Sequence, residues 1–208
     1  MWTSLDTLGD VALIIIDLQR LDIDPNVGAL STQTPDVVSM YLDVITHRVL
    51  PNTQRLLHTA RSLDVEVIHV RIQSLTADGR DRSPGHKRLG LHVAPSSEHA
   101  EFLPEVAPAP DEIILNKTSS DAFHTTSLSQ LLRNLGKSQL IMCGVFTHEC
   151  VASTARSACD LGFEVRVVGD ACAAVTPEAH SHALEGLHKR YALVTTTAEV
   201  TAQLTNIR

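Results

Sequence analysis

The chain has 208 residues, 43% of them hydrophobic, enough for one sizeable core, and the size prior favours a single domain over residues 1–208. Its net charge of −7 is spread along the sequence with basic residues interspersed, so no phosphate-binding stripe or polybasic arm exists and neither nucleic acid nor a membrane is an expected partner. The opening residues carry no basic start with a long apolar stretch, and the apolar run at residues 11–16 is far too short to span a bilayer, so a cytoplasmic protein is expected.

Residues 11–16 are a continuous apolar run without alternation, the pattern of a strand covered on both faces in a parallel sheet. The run ends on Asp17. Ligands gather beyond the carboxyl ends of parallel strands, so this carboxylate is either a site residue or the cap of the following loop. Residues 18–35 carry turn formers and read as a loop folding over that strand end. Residues 40–63 have helical spacing, and Pro51 predicts a kink or a break into two helices. A second strand is expected at 65–72.

Periodicity disappears over residues 73–109, where a basic, glycine-containing segment (77–90) is followed by Pro95, Pro104 and Pro108. So long an irregular run is a solvated surface loop, an active-site wall or a subunit contact. A third strand at 111–116 leads to Lys117, which most simply reads as a solvated lysine. A helix at 124–135 closes on Gly136. Further strands are expected at 140–145, 164–168 and 191–195, with a helix at 177–189 opened by Pro177. Strands and helices alternate throughout, which gives an α/β fold: a three-layer αβα sandwich around a six-stranded, mostly parallel sheet.

Cys150 lies where the strand at 140–145 hands over to a helix. The free N–H groups and positive dipole end of a first helical turn stabilise an anion, so a thiol there is expected to be acidified and nucleophilic; a buried packing cysteine is the alternative. Four cysteines without metal-ligand spacing suggest thiols rather than disulfides, with Cys143, Cys159 and Cys172 assigned to packing.

Taken together, the strand ending in Asp17 and Gln19, the strand followed by Lys117 with Ala122-Phe123, and Gly144-Val-Phe-Thr-His-Glu-Cys150 resemble the isochorismatase-like cysteine hydrolases. The likeness spans about residues 11–197. It implies a Cys-Asp-Lys triad of Cys150, Asp17 and Lys117, and a cis peptide at Val145–Phe146. It also implies an oxyanion hole from the backbone N–H groups of Phe146 and Cys150, pocket walls from Gln19, Arg71 and Phe123, and a homo-oligomer, dimer or tetramer.

Members that cleave isochorismate lack the nucleophilic cysteine, so Cys150 points to hydrolysis of a C–N amide bond. Nicotinamidases of the family hold a metal through histidines after the second strand; that pattern is missing here, so no metal and no cofactor are expected, and His86, His92 and His99 are expected to face solvent. The segments 71–75 and 79–90 look most like those of the biuret and triuret hydrolases. A carbamoyl or ureido substrate is therefore expected, ahead of other small amides (ureidoacrylate, N-carbamoylsarcosine, maleamate, nicotinamide). Outside that class, the chain could be a non-catalytic α/β binding module with an inert Cys150, or a redox-responsive thiol protein.

Overall fold

The computed structural model describes residue 5 and residues 7–207. The expectation that the chain opens without a targeting leader falls largely on residues outside that range.

Six parallel strands form one sheet in the order β3-β2-β1-β4-β5-β6: β1 (Val11–Ile16), β2 (Glu66–Ile72), β3 (Ile113–Lys117), β4 (Gln139–Val145), β5 (Glu164–Ala173) and β6 (Leu193–Thr195). Every residue of β1 and β4 is buried, which explains the unbroken apolar runs at 11–16 and 140–145: both faces of the sheet centre are covered and no position there is left for a polar alternation. The chain moves outward from β1 through β2 to β3, then returns to β1's other side to lay down β4. The carboxyl ends of β1 and β4 therefore meet at the point where the strand order reverses, the place where parallel sheets open a crevice.

Gly144 makes that junction possible. Its φ is +119°, and a β-carbon there would overlap the Ile16 carbonyl oxygen. No side chain fits where β4 passes the end of β1.

One set of helices, α1 (Pro35–Val44), α2 (Leu50–Ser62) and α8 (Thr197–Asn206), includes the packed pair α2 and α8; a second, α6 (Ala152–Asp160) and α7 (Pro177–Leu187), packs together against β5. The predicted helix at 40–63 begins at Pro35 and is interrupted by a wide turn, Ile45–Val49, in which the Leu50 N–H reaches back five residues to Ile45. Pro51 is the cause: it has no N–H to donate and its ring crowds the carbonyl four residues earlier, so the turn before it widens.

Three further readings change. The expected irregular run at 73–109 contains a short helix, α3 (Pro84–Arg88), whose cap Ser83 accepts a hydrogen bond from the His86 N–H. The helix expected at 124–135 is two pieces, α4 (Ala122–Thr125) and α5 (Leu128–Asn134). And β5 runs on past residue 168, because after a register shift its far half resumes the parallel pairing, Cys172 and Ala173 with Gly144 and Val145.

Candidate active site

Three side chains expected from different strands meet at the carboxyl edge of the sheet. Asp17 follows β1 directly, with φ at +54°, a left-handed conformation that costs a non-glycine residue about 1 kcal/mol, and its N–H is fixed on the Val70 carbonyl at 2.9 Å. Lys117 is the last residue of β3. Cys150 lies in a wide helical turn, Thr147–Val151, that follows β4 and leads into α6; there the Glu149 and Val151 N–H groups both turn back onto the Phe146 carbonyl. The Val145–Phe146 peptide is cis.

Lys117 Nζ lies 2.8 Å from Asp17 Oδ2, donates to Cys150 Sγ at 3.2 Å and to the Ser119 carbonyl at 3.0 Å. The ammonium donates to the carbonyl and the sulfur, and the carboxylate faces it as an ion pair. Lys117 and Asp17 are essentially fully buried and Cys150 is 4% exposed. Both Asp17 oxygens are buried without a hydrogen-bond partner among the described residues, Oδ2 facing Lys117 as an ion pair, so the carboxylate keeps acceptor capacity free.

The electrostatics differ from the expected acidified thiol. Burial pushes Cys150 well above the ordinary thiol range, with the Asp17 charge adding to the effect and Lys117 opposing it. Burial likewise raises Asp17, against the pull of Lys117. For Lys117, burial disfavours the ammonium, but the facing Asp17 and Cys150 outweigh it and the pKa rises. Charge counting gives the same picture: one buried ammonium balances one negative charge, so carboxylate and thiol together retain one proton. The resting pair is a thiol beside a carboxylate, and the sulfur becomes an anion when the proton crosses to Asp17.

A cavity of about 140 Å³ opens onto Cys150 and Phe146. That is the liquid-volume share of roughly five waters, well below the size of drug-scale ligand sites. Leu21, Asp22, His86, Leu91 and Glu149 line it together with Ile72 at the end of β2.

Gln19, Arg71 and Phe123 are not on its wall. Gln19 is fully buried as a clamp, accepting from the Ile72 N–H at 2.6 Å and donating to the Ile72 and His99 carbonyls. Arg71 is held by Asn116, Gln73 and the Ala100 carbonyl and stacks on Phe102. Phe123 packs against Phe163 at 5.7 Å. His86, expected in solvent, is 2% exposed and lines the cavity; burial, with Lys117 and Arg82 nearby, holds its pKa down to about 4, so it is a neutral imidazole. His99 is half-buried against Asp24 at 3.0 Å, and His92 is exposed. Asp22, Glu149 and His86 had no signal in the sequence beyond their residue types. All four cysteines are free thiols, and no cluster of three or more metal-ligating side chains occurs among the described residues. No helix among them is long and apolar enough to cross a membrane.

A parallel α/β sandwich with a buried thiol, carboxylate and ammonium at its switch point defines a hydrolase-type scaffold. Residues 11–199 match the isochorismatase domain. The chain belongs to the isochorismatase family of hydrolases. Streptothricin hydrolase from Streptomyces noursei is 36% identical over 124 residues, covering 60% of this chain and 40% of that protein. A cysteine hydrolase from Pseudomonas syringae superposes with a TM-score of 0.78 at 24% identity, over 96% of this chain and 94% of the other. N-carbamoylsarcosine amidase from Thermoplasma acidophilum gives 0.70 at 23% identity, over 90% and 96% of the two chains. At those identities the two structures share this chain's fold.

Proposed function

We propose that the protein is a cysteine-dependent amidohydrolase that cleaves a C–N amide bond in a small carbamoyl or ureido compound of the biuret or triuret type. The observation that carries this reading is the position of Lys117 Nζ, 2.8 Å from Asp17 and 3.2 Å from Cys150, which itself lines a small cavity.

In this mechanism Sγ of Cys150 bonds to the amide carbon while its proton passes to Asp17, which acts as general base. The carbonyl oxygen becomes an oxyanion, met by the backbone N–H groups of Phe146 and Cys150. As the C–N bond breaks, Asp17 returns the proton to the departing nitrogen and ammonia or an amine leaves. Water, deprotonated by Asp17, then opens the thioester and the thiol is restored. Lys117 holds Asp17 in place and balances the single negative charge that moves between oxygen and sulfur. The cavity's size and the scarcity of aromatic residues, 3% of the chain, favour a compact polar substrate over a flat ring. We place the protein in the cytoplasm, in keeping with its free thiols, as a single-domain homo-oligomer.

Ammonia release from biuret, triuret, a ureido acid, maleamate and nicotinamide, measured beside Cys150→Ala, tests the reading. Cys150-dependent turnover of the ureido compounds is expected. Turnover confined to maleamate or nicotinamide would move the substrate class, and equal activity in Cys150→Ala would remove the nucleophile.

A further inference from the structure

The cavity walls carry a charge pattern that the chemistry at Cys150 does not need. Asp22 is 7% exposed, lines the cavity, and its Oδ2 has no hydrogen-bond partner among the described residues. Glu149, the residue before Cys150 and half-exposed, lines the same space. His148 Nε2 stands 3.8 Å from Glu149 Oε1. No lysine or arginine is among the lining residues. Two fixed cations around it are committed elsewhere: Lys117 pairs with Asp17 and donates to Cys150 and Ser119, and Arg82 is turned onto the Gly79 and Leu91 carbonyls. The remaining titratable wall, His86, is a neutral imidazole.

We propose that Asp22, assisted by Glu149, is a specificity-determining residue that admits amides presenting N–H donors or a positive charge and excludes those bearing a carboxylate. A buried carboxyl with a free oxygen is costly until something satisfies it, and an N–H or ammonium group entering the cavity does so. A carboxylate would instead find no free cation in a space that already disfavours negative charge, as the raised Asp22 carboxyl shows, a mismatch that discriminates against it. Burial, then the Asp17 charge, raise Asp22 well above the ordinary carboxyl range against a smaller pull from Lys117, with Glu149 adding to the rise; the empty cavity thus favours the neutral carboxyl, and an entering cation favours the ionised one. This inference rests on Cys150 being the nucleophile at the cavity floor. Within the ureido class it favours uncharged or amino-bearing compounds over ureido acids.

The test needs no substrate. Cys150 is alkylated separately by 2-bromoethylammonium, neutral iodoacetamide and anionic iodoacetate; each rate is divided by that of glutathione with the same reagent, and labelling is located by mass spectrometry. Cation over neutral over anion is expected, with a normalised cation-to-anion ratio of about tenfold, one unit charge acting at short range in a partly shielded site. Asp22→Asn, which keeps the side chain's shape, should lower that ratio about fivefold, and Glu149→Gln at the rim by a smaller factor. A parent ratio of one or below overturns the proposal, as does a ratio that neither variant changes. No labelling of Cys150 by any reagent, with the cysteines labelled in the unfolded chain, would remove the nucleophile reading itself and this inference with it.

Discussion

Lys117 and Asp17 sit at the ends of β3 and β1, with β2 between them, yet their charged atoms meet at 2.8 Å. Two strand spacings separate the backbones by roughly 10 Å, so the lysine must extend across the end of β2 to reach the carboxylate. Only a long, unbranched cation can do so, which gives a reason for lysine at this strand end. Breaking such a pair leaves a buried charge alone, at a cost of about 3 kcal/mol or more. Lys117→Met is therefore expected to lower stability by about that amount and turnover by at least a hundredfold. The double variant Asp17→Asn with Lys117→Met removes both charges and should unfold at higher denaturant than Lys117→Met while staying inactive. Urea titrations of the three proteins check it, and a double variant weaker than the single would refute the account.

Asp17 must be ionised to take the thiol proton, and burial raises its pKa above the ordinary carboxyl value of 3.8. Protonation on the acid side removes the base, so the acid limb of kcat/KM should lie above pH 3.8 and not below it. In Asp17→Asn the thiol loses its acceptor. With the Asp17 charge gone and Lys117 still beside the sulfur, the thiol pKa should fall, and alkylation of Cys150 should level off at a lower pH than in the parent. A pH series of iodoacetamide rates on both proteins decides this, and identical profiles would take the proton-accepting role from Asp17.

The sheet was legible because burial on both faces writes itself into sequence as unbroken apolar runs, as at residues 11–16 and 140–145. Asp17, Lys117 and Cys150 were legible as strand-end residues bearing reactive groups. The second half of β5 was not, since Gly169 and Asp170 interrupt the apolar run. In the structure Asp170 accepts from the Thr197 N–H and hydroxyl, an attachment made by a helix 27 positions later. The cavity walls were hidden for a related reason. Whether His86 faces water depends on the path of its loop, pinned by the Ser74 N–H on Val93 and the Leu103 N–H on Leu18, and no local pattern encodes such a path. Gln19 shows the converse: a polar residue beside the site spends its amide on backbone groups and touches no cavity.

Glu112 gathers Arg61, the Ala109 N–H and His69 at the outer edge of the sheet. Burial disfavours its carboxylate, but Arg61 and the other donors outweigh it and bring the pKa to about 2. A depressed carboxyl stabilises the fold above its unfolded value near 4.3 and loses that contribution as pH falls toward 2. His69 acts in the same direction: burial lowers its pKa, so stability is lost as pH falls below 6.5 and the unfolded imidazole takes a proton. Thermal midpoints should decline between pH 6 and 3. Glu112→Gln should cost about 2 kcal/mol near neutrality, from weakened charge-assisted bonds, and flatten the acid part of that decline. An unchanged slope would show that the acid sensitivity arises elsewhere.

Gly144 offers the sharpest separation of fold from chemistry, because it touches no reacting group and still sets where the site lies. Its φ of +119° is open to glycine, and a β-carbon would enter the space of the Ile16 carbonyl, one residue before Asp17. Gly144→Ala must either push β4 away from β1 or force the backbone into a conformation alanine resists. Both routes damage the β1–β4 pairing at its carboxyl end, where Ile16 lies opposite Gly144. A loss of about 3 kcal/mol is expected from strain and overpacking together, larger than for an ordinary surface change. The distance between the strand ends also fixes how Asp17 faces Cys150, so turnover should fall by more than the folded fraction explains, since small misplacements of reacting groups cost about a hundredfold. Activity per folded molecule, with the folded fraction read from circular dichroism, separates the two effects. Normal activity in the folded remainder would mean that the strand ends tolerate displacement and that Gly144 serves stability alone.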